Sequence, residues 1–224
     1  MYKKLLYLWL CLFIFWFPAA LAADRIKIGN FSQGDLSGWE EKIFTGKTIY
    51  SLVSDQGRTV LKAQSQKSAS GLFKKVKIDP KKHPVLSWSW KIENTIKKGN
   101  ARSREGDDYP ARIYVVFPSL FFFGSKGVNY IWANRLPQGE AVKNPFTDNV
   151  MMIAVKSGNS LAGVWQKERR NLVRDFKALF GEDPPEIGAV AIMTDSDNTK
   201  DRATAFYGDI FFEKADRIKT KQGH

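Results

Sequence analysis

Beyond the first two dozen residues, apolar positions recur mostly at every second residue. Leu86, Trp88, Trp90 and Ile92 alternate with Ser87, Ser89 and Lys91, and Leu72, Val76 and Ile78 alternate with Phe73, Lys75 and Lys77. Successive side chains of a strand point to opposite faces, so this spacing predicts half-buried strands, apolar on one face and polar on the other. The same criterion places strands at 26–31, 39–44, 48–55, 58–65, 111–117, 127–135, 149–157, 189–195 and 203–213. Turn formers separate them: Asp55-Gln56-Gly57, Asp79-Pro80, Lys98-Gly99-Asn100 and Ser157-Gly158-Asn159. About eleven short strands without alternating helices predict an all-β, mostly antiparallel sandwich and not a βαβ fold.

One stretch follows a different period. In Glu168–Phe180, Leu172, Val173, Phe176, Leu179 and Phe180 recur at helical spacing, and Gly181 stands at the stop. Glu168 is placed near the start, where a carboxylate suits the helix dipole. This predicts one short helix near 168–180, capping an end of the sandwich or covering a sheet edge. The run Pro118–Gly124, with Leu120, Phe121, Phe122 and Phe123 at its centre, falls between two strands. It is expected to fold under the sheet as core, the alternative being an exposed loop that meets lipid.

The first 22 residues read as a signal peptide. Lys3 and Lys4 precede an unbroken apolar run, Leu5–Phe17, which Pro18 ends; Ala20-Leu21-Ala22 supplies the small residues needed for cleavage. That run is short for a membrane span. Residues 23–213 then form a single domain, and 214–224 a polar C-terminal tail. Export changes the meaning of the charge. The whole chain carries +12, and cleavage near Ala22 leaves 33 basic and 23 acidic side chains. In the cytoplasm such an excess would suggest nucleic acid, but for a periplasmic or secreted protein no nucleic-acid partner is expected. The partners left are a glycan, an anionic envelope polymer or lipid head groups. Cys11, the only cysteine, lies in the signal segment, so the mature domain has neither a disulfide nor a thiolate nucleophile.

Standard catalytic signatures are missing. Gly158-Asn159-Ser160-Leu161-Ala162 fails as a nucleophile elbow, because Ala stands where the second glycine is needed. His83 sits in a charged turn, Lys81-Lys82-His83-Pro84, and His224 is terminal. Three acidic clusters remain. Glu105-Gly106-Asp107-Asp108-Tyr109-Pro110 leads into the strand that carries Arg112; Thr194-Asp195-Ser196-Asp197-Asn198-Thr199 follows an apolar strand; Asp209 lies inside the last one. Loops at strand ends gather at the two ends of a sandwich. Asp107, Asp108, Arg112, Asp195, Asp197 and Asn198 are therefore the expected ligand-binding residues. No cofactor is expected; calcium is the one that these oxygen ligands would suit. The EF-hand pattern fails, since Phe206 occupies its twelfth position counted from Asp195. Trp88 and Trp90 share a face, as do Tyr130 and Trp132, and their aliphatic neighbours favour core over sugar stacking.

Taken in order, Gly106-Asp107-Asp108-Tyr109-Pro110-Ala111-Arg112-Ile113-Tyr114-Val115-Val116-Phe117, Tyr130-Ile131-Trp132-Ala133, Trp165-x-x-Glu168-x-Arg170-Asn171, Ile192-Met193-Thr194-Asp195-Ser196-Asp197-Asn198-Thr199 and Tyr207-Gly208-Asp209-Ile210 resemble an uncharacterised bacterial family, domain of unknown function 3047. The resemblance implies an exported bacterial protein and carries no activity. More loosely, the strand count and the terminal Gly-Asp-Ile-x-Phe strand resemble galactose-binding-like jelly rolls, as in carbohydrate-binding modules. The expectation is a jelly-roll sandwich that binds a glycan or related polymer without turning it over. Two alternatives stand beside it. One is an enzyme using two of the carboxylates as acid and base on a polysaccharide. The other is an envelope assembly factor using the basic strand face of Lys75 and Lys77.

Overall fold

The structure is a computed structural model that describes residues 25–119 and 124–215. The expected signal peptide, Leu120–Phe123 and residues 216–224 of the expected tail lie outside the described residues. Thirteen strands form two sheets packed face to face. β1 (Arg25–Gly29), β3 (Ile49–Asp55), β4 (Arg58–Gln66), β6 (Val85–Ile92), β11 (Gln166–Asn171) and β13 (Arg202–Glu213) make the first. Its order is β11-β6-β13-β4-β3, with β1 also paired to β13. The second sheet runs β2 (Trp39–Thr45), β5 (Ala69–Ile78), β12 (Ile187–Asp195), β7 (Ala111–Phe117), β8 (Lys126–Ala133), β10 (Thr147–Ser157) and β9 (Ala141–Asn144). The chain crosses repeatedly between the sheets, which gives an all-β sandwich of jelly-roll type. Pairing is antiparallel except between β8 and β10, where Ile153 lies opposite Tyr130 in parallel register.

The period-two residues face inward as expected. Trp88 and Trp90 from β6 meet Tyr130 and Trp132 from β8 across the interface, with ring centroids 5.3 Å apart for Trp88–Tyr130 and 5.8 Å for Trp90–Trp132. All four are at most 3% exposed. Three of them also find polar partners, as buried Trp and Tyr usually do. The Trp90 indole donates to Glu168 Oε1 at 3.2 Å, the Trp132 indole to the Gly158 carbonyl at 3.0 Å, and the Tyr130 hydroxyl to Asp175 Oδ2 at 2.8 Å.

The helix, α1, runs from Leu172 to Phe180, four residues shorter at its start than the periodicity suggested. Residues 166–171, Gln-Lys-Glu-Arg-Arg-Asn, are all polar and carry no apolar helical stripe, and β6 offers an open edge, so they pair with it as β11 in unbroken register. Glu168 therefore lies in a strand and under the sandwich surface, 2.8 Å from Lys156 Nζ, and not at a helix start. Asn171 caps α1 by accepting from the Arg174 amide at 3.0 Å. Gly181 ends it in the left-handed region at φ 74°. Phe176 seats the helix against Phe117, centroids 4.5 Å apart, at one end of the sandwich.

β9 escaped the sequence pattern because four residues alternate too briefly to register. The segment 94–110 covers part of the outer face of the second sheet, whose edge β9 forms. Beneath this cover Tyr109, Ile131, Ala133, Leu136 and Met152 form a small second core.

Candidate functional site

All six residues expected to bind ligand come together, at the end of the sandwich where β7 begins and β12 stops. Arg112 is the second residue of β7 and Asp195 the last of β12, and Arg112 lies opposite Met193 in register. The Arg112 Nη2 donates to Asp195 Oδ2, and its Nη1 lies 3.7 Å from Asp107 Oδ2. The guanidinium is stacked between two rings, 4.9 Å from the Tyr109 centroid and 5.4 Å from that of Tyr114. Asp107 also accepts from the Tyr109 hydroxyl at 3.0 Å and from Asn144 Nδ2 at 3.3 Å. Asp108 closes the loop after β12, accepting from the amides of Asn198 at 3.2 Å and Thr199 at 2.6 Å.

This is a buried network and not an open cleft. Asp107, Asp108, Arg112 and Asp195 are at most 5% exposed, while Asp197 and Asn198 are half-buried at the rim. Burial pushes the Asp195 and Asp107 carboxyls above the usual range, and the Arg112 guanidinium draws both back down. Arg112 stays protonated: burial works against its charge, but Asp195 and the groups around it hold its pKa well above the ordinary value. Asp108, Asp195 and Asp197 bring carboxylate oxygens within 4.8 Å of one another, which is close enough for a hard cation. Yet both oxygens of Asp108 and both of Asp195 already accept hydrogen bonds from the chain. Asp108 and Asp195 are thus engaged by protein donors.

Gly106 sets the approach of this loop. A Cβ there would lie 2.6 Å from the Asn100 amide nitrogen, a backbone atom that cannot swing aside. Gly106→Ala should therefore destabilise the domain by about 1–3 kcal/mol, the usual cost of overpacking. A urea midpoint equal to that of the parent protein would contradict this account of the loop.

The open concavity lies elsewhere, on the outer face of the first sheet. A groove of about 550 Å³ runs over β6, β11 and β13, within the usual size range for small-ligand sites. Its floor carries Ser87 and Ser89 from the outward face of β6. A break in the β6–β13 register between Tyr207 and Ile210 supplies an extra residue there; such bulges re-aim side chains. Gly208 is needed at the bulge, because a Cβ would meet Ser89 Oγ at 2.2 Å. The bulge places Asp209 on the groove, where it accepts from the amide and hydroxyl of Ser32 at 2.8 and 2.6 Å.

Trp165 stands at one end of the groove, half-buried. Its indole N–H donates to Asp55 Oδ2 at 2.7 Å, while Lys91 Nζ donates to Asp55 Oδ1 at 2.6 Å. Arg58 lies 5.5 Å from the Trp165 ring centroid. The β3–β4 turn and the segment before β11 thus meet over Lys91. Lys91, and less so the Trp165 indole, hold the Asp55 carboxyl below its ordinary value. The tether of Trp165 to Asp55 therefore persists as the pH falls to about 4 and is lost only below the ordinary value of 3.8.

Of the groove residues, Trp88 and Glu168 read from the sequence as core and as a helix start, while Asp209 stands out because an acid among Phe206, Tyr207, Ile210, Phe211 and Phe212 needs a partner. Gly208 inside a strand pattern was the available sign of a bulge. Trp165 enters the sequence reading only within the motif Trp165-x-x-Glu168-x-Arg170-Asn171, and its contact with Arg58 is made by the fold and not by spacing.

No curated protein matches the sequence. Among solved structures, the chain is similar to a family 11 carbohydrate-binding module from Clostridium thermocellum, in complex with a β-1,3-1,4-mixed-linked tetrasaccharide: 12% identity over 85% of this chain and 96% of that one, TM-score 0.47. It is also similar to the cellulose induced protein Cip1, at 9% identity over 82% and 95% of the two chains, TM-score 0.47. A third similar structure is the xyloglucanase domain of NopAA, an effector from Sinorhizobium fredii: 11% identity, 79% and 93% covered, TM-score 0.44. The family described as protein of unknown function (DUF3047) matches residues 37–211, and the chain belongs to that family.

Proposed function

We propose that the protein is an exported, non-catalytic, glycan-binding β-sandwich whose ligand lies in the groove on the outer face of the first sheet. The observation that carries this is the groove itself: an aromatic ring fixed at one end by Asp55, with hydroxyls, an aspartate and cations along its floor and walls. A sugar offers one apolar face and many hydroxyls, so a ring plus scattered short polar groups is the surface that suits it. Export rests on the positive, apolar and small-residue regions of Met1–Ala22.

The six residues expected to bind ligand take a different part in this proposal. Asp107, Asp108, Arg112 and Asp195 hold the loops at one end of the sandwich, and Asp197 and Asn198 complete the rim of that assembly. Most of their groups answer one another, while Arg112 Nε and Nη1 are buried without a hydrogen-bond acceptor. The purified protein on a glycan array, with calcium and with a chelator, tests the function. Binding of at least one glycan class, without release of reducing sugar, is expected; no binding under either condition would overturn it.

A further inference from the structure

The charges around the groove are unevenly committed. Its acids are all engaged: Glu213 pairs with Arg25 at 3.0 Å and Arg169 at 3.2 Å, Glu168 with Lys156 at 2.8 Å, and Asp209 accepts twice from Ser32. Arg58 and Lys167, both exposed, have no carboxylate within ion-pair distance among the described residues. Arg58 is instead held over the Trp165 ring. The cationic surface also continues. Arg169 lines the groove and a second hollow of about 370 Å³ as well, where Arg170 is taken by Asp175 at 2.7 Å but exposed Arg174 has no such partner.

We infer that the groove takes an acidic glycan, one that repeats carboxylate or sulfate groups along its chain, with Arg58, Lys167 and Arg174 as the cations that read them. This rests on the glycan-binding reading of the same groove and narrows its ligand. Charge complementarity carries it. Arg58 has only Asp55 beside it across the β3–β4 ladder, and a neutral sugar adds no charge for these exposed cations, whereas a polyanion supplies it at several points along a continuous path. Arg58 and Lys91 Nζ both lie 5.5 Å from the Trp165 ring centroid, so an anionic sugar unit that draws Arg58 aside meets charge and ring together.

The test compares polygalacturonate and dextran sulfate with neutral mixed-linkage β-glucan, at low and high salt, by isothermal titration. At least one acidic polymer should bind about tenfold more tightly than the neutral one, and weaken severalfold between about 50 and 500 mM salt as screening increases. The double variant Arg58→Gln, Lys167→Gln should lose about tenfold on the acidic polymer, with the salt dependence reduced, and lose less on any neutral ligand than on the acidic one. Both residues are exposed, so thermal stability should stay close to that of the parent. Equal, salt-insensitive binding of the neutral glucan would overturn the acidic inference and leave glycan binding intact. No glycan bound, or binding only to anionic phospholipid vesicles, would overturn both.

Discussion

Replacing Arg112 with Met should cost about 3–5 kcal/mol of folding stability at neutral pH, the largest effect expected of any single change in this protein. The figure follows from what is left behind. Arg112 is 3% exposed and is the only cation within ion-pair distance of Asp195 and Asp107 among the described residues. Removing one partner of a buried pair strands the other charge in a poor dielectric. Domains of this kind are stable by only about 5–15 kcal/mol, so the variant would approach its unfolding limit.

The pH dependence distinguishes this cause from simple loss of packing. Burial already raises the Asp107 and Asp195 carboxyls above the ordinary value of 3.8 in the folded state. A carboxyl with a raised folded pKa binds its proton more tightly in the native state than in the unfolded chain. Stability from these two groups therefore rises as the pH falls from neutrality toward 3.8, and levels off below it. Arg112 moderates that rise, so its loss steepens it. Arg112→Met should recover much of its deficit between about pH 7.5 and pH 4.5 in denaturant titrations. Arg112→Lys, which keeps a charge but loses the planar stack between Tyr109 and Tyr114, should fall between Met and the parent. A deficit that does not change with pH would mean that Arg112 acts by packing alone.

The second large effect concerns the groove. Trp165→Ala should weaken glycan binding by tenfold or more, about 1.4 kcal/mol or above, in keeping with a central aromatic anchor. Trp165 is half-buried and stands just before β11, outside the strands, so the fold should survive the change. Trp165→Phe keeps a ring but removes the N–H that ties it to Asp55; an affinity between the two is expected. Full affinity in Trp165→Ala, measured on correctly folded protein, would remove the aromatic platform from the account.

The architecture was legible in the sequence because it rests on local repetition. Leu86, Trp88, Trp90 and Ile92 declare both the strand and its buried face, and β6 and its partners follow from such runs. Glu168–Asn171 shows the limit of that logic. Helical spacing of the apolar residues extended backward over a stretch that a free sheet edge claims as β11, and only tertiary pairing decides between the two. The acidic end was legible in another way: clusters at strand ends must meet at an end of the sandwich, and Asp107, Asp108, Arg112, Asp195, Asp197 and Asn198 do. Composition could not show that their groups are turned on one another and buried. The groove was not legible, because it depends on the bulge at Gly208-Asp209 and on Trp165 meeting the distant Asp55 and Arg58.

Two surfaces thus compete for the ligand, and mapping the bound state separates them most directly. Amide hydrogen exchange of the protein with and without a bound glycan reports which backbone is covered. Protection at 87–89, 165–169 and 208–211, with 105–108 and 195–199 unchanged, is the result this account requires. Protection confined to 105–108 and 195–199 would place the ligand on the acidic loops and contradict it.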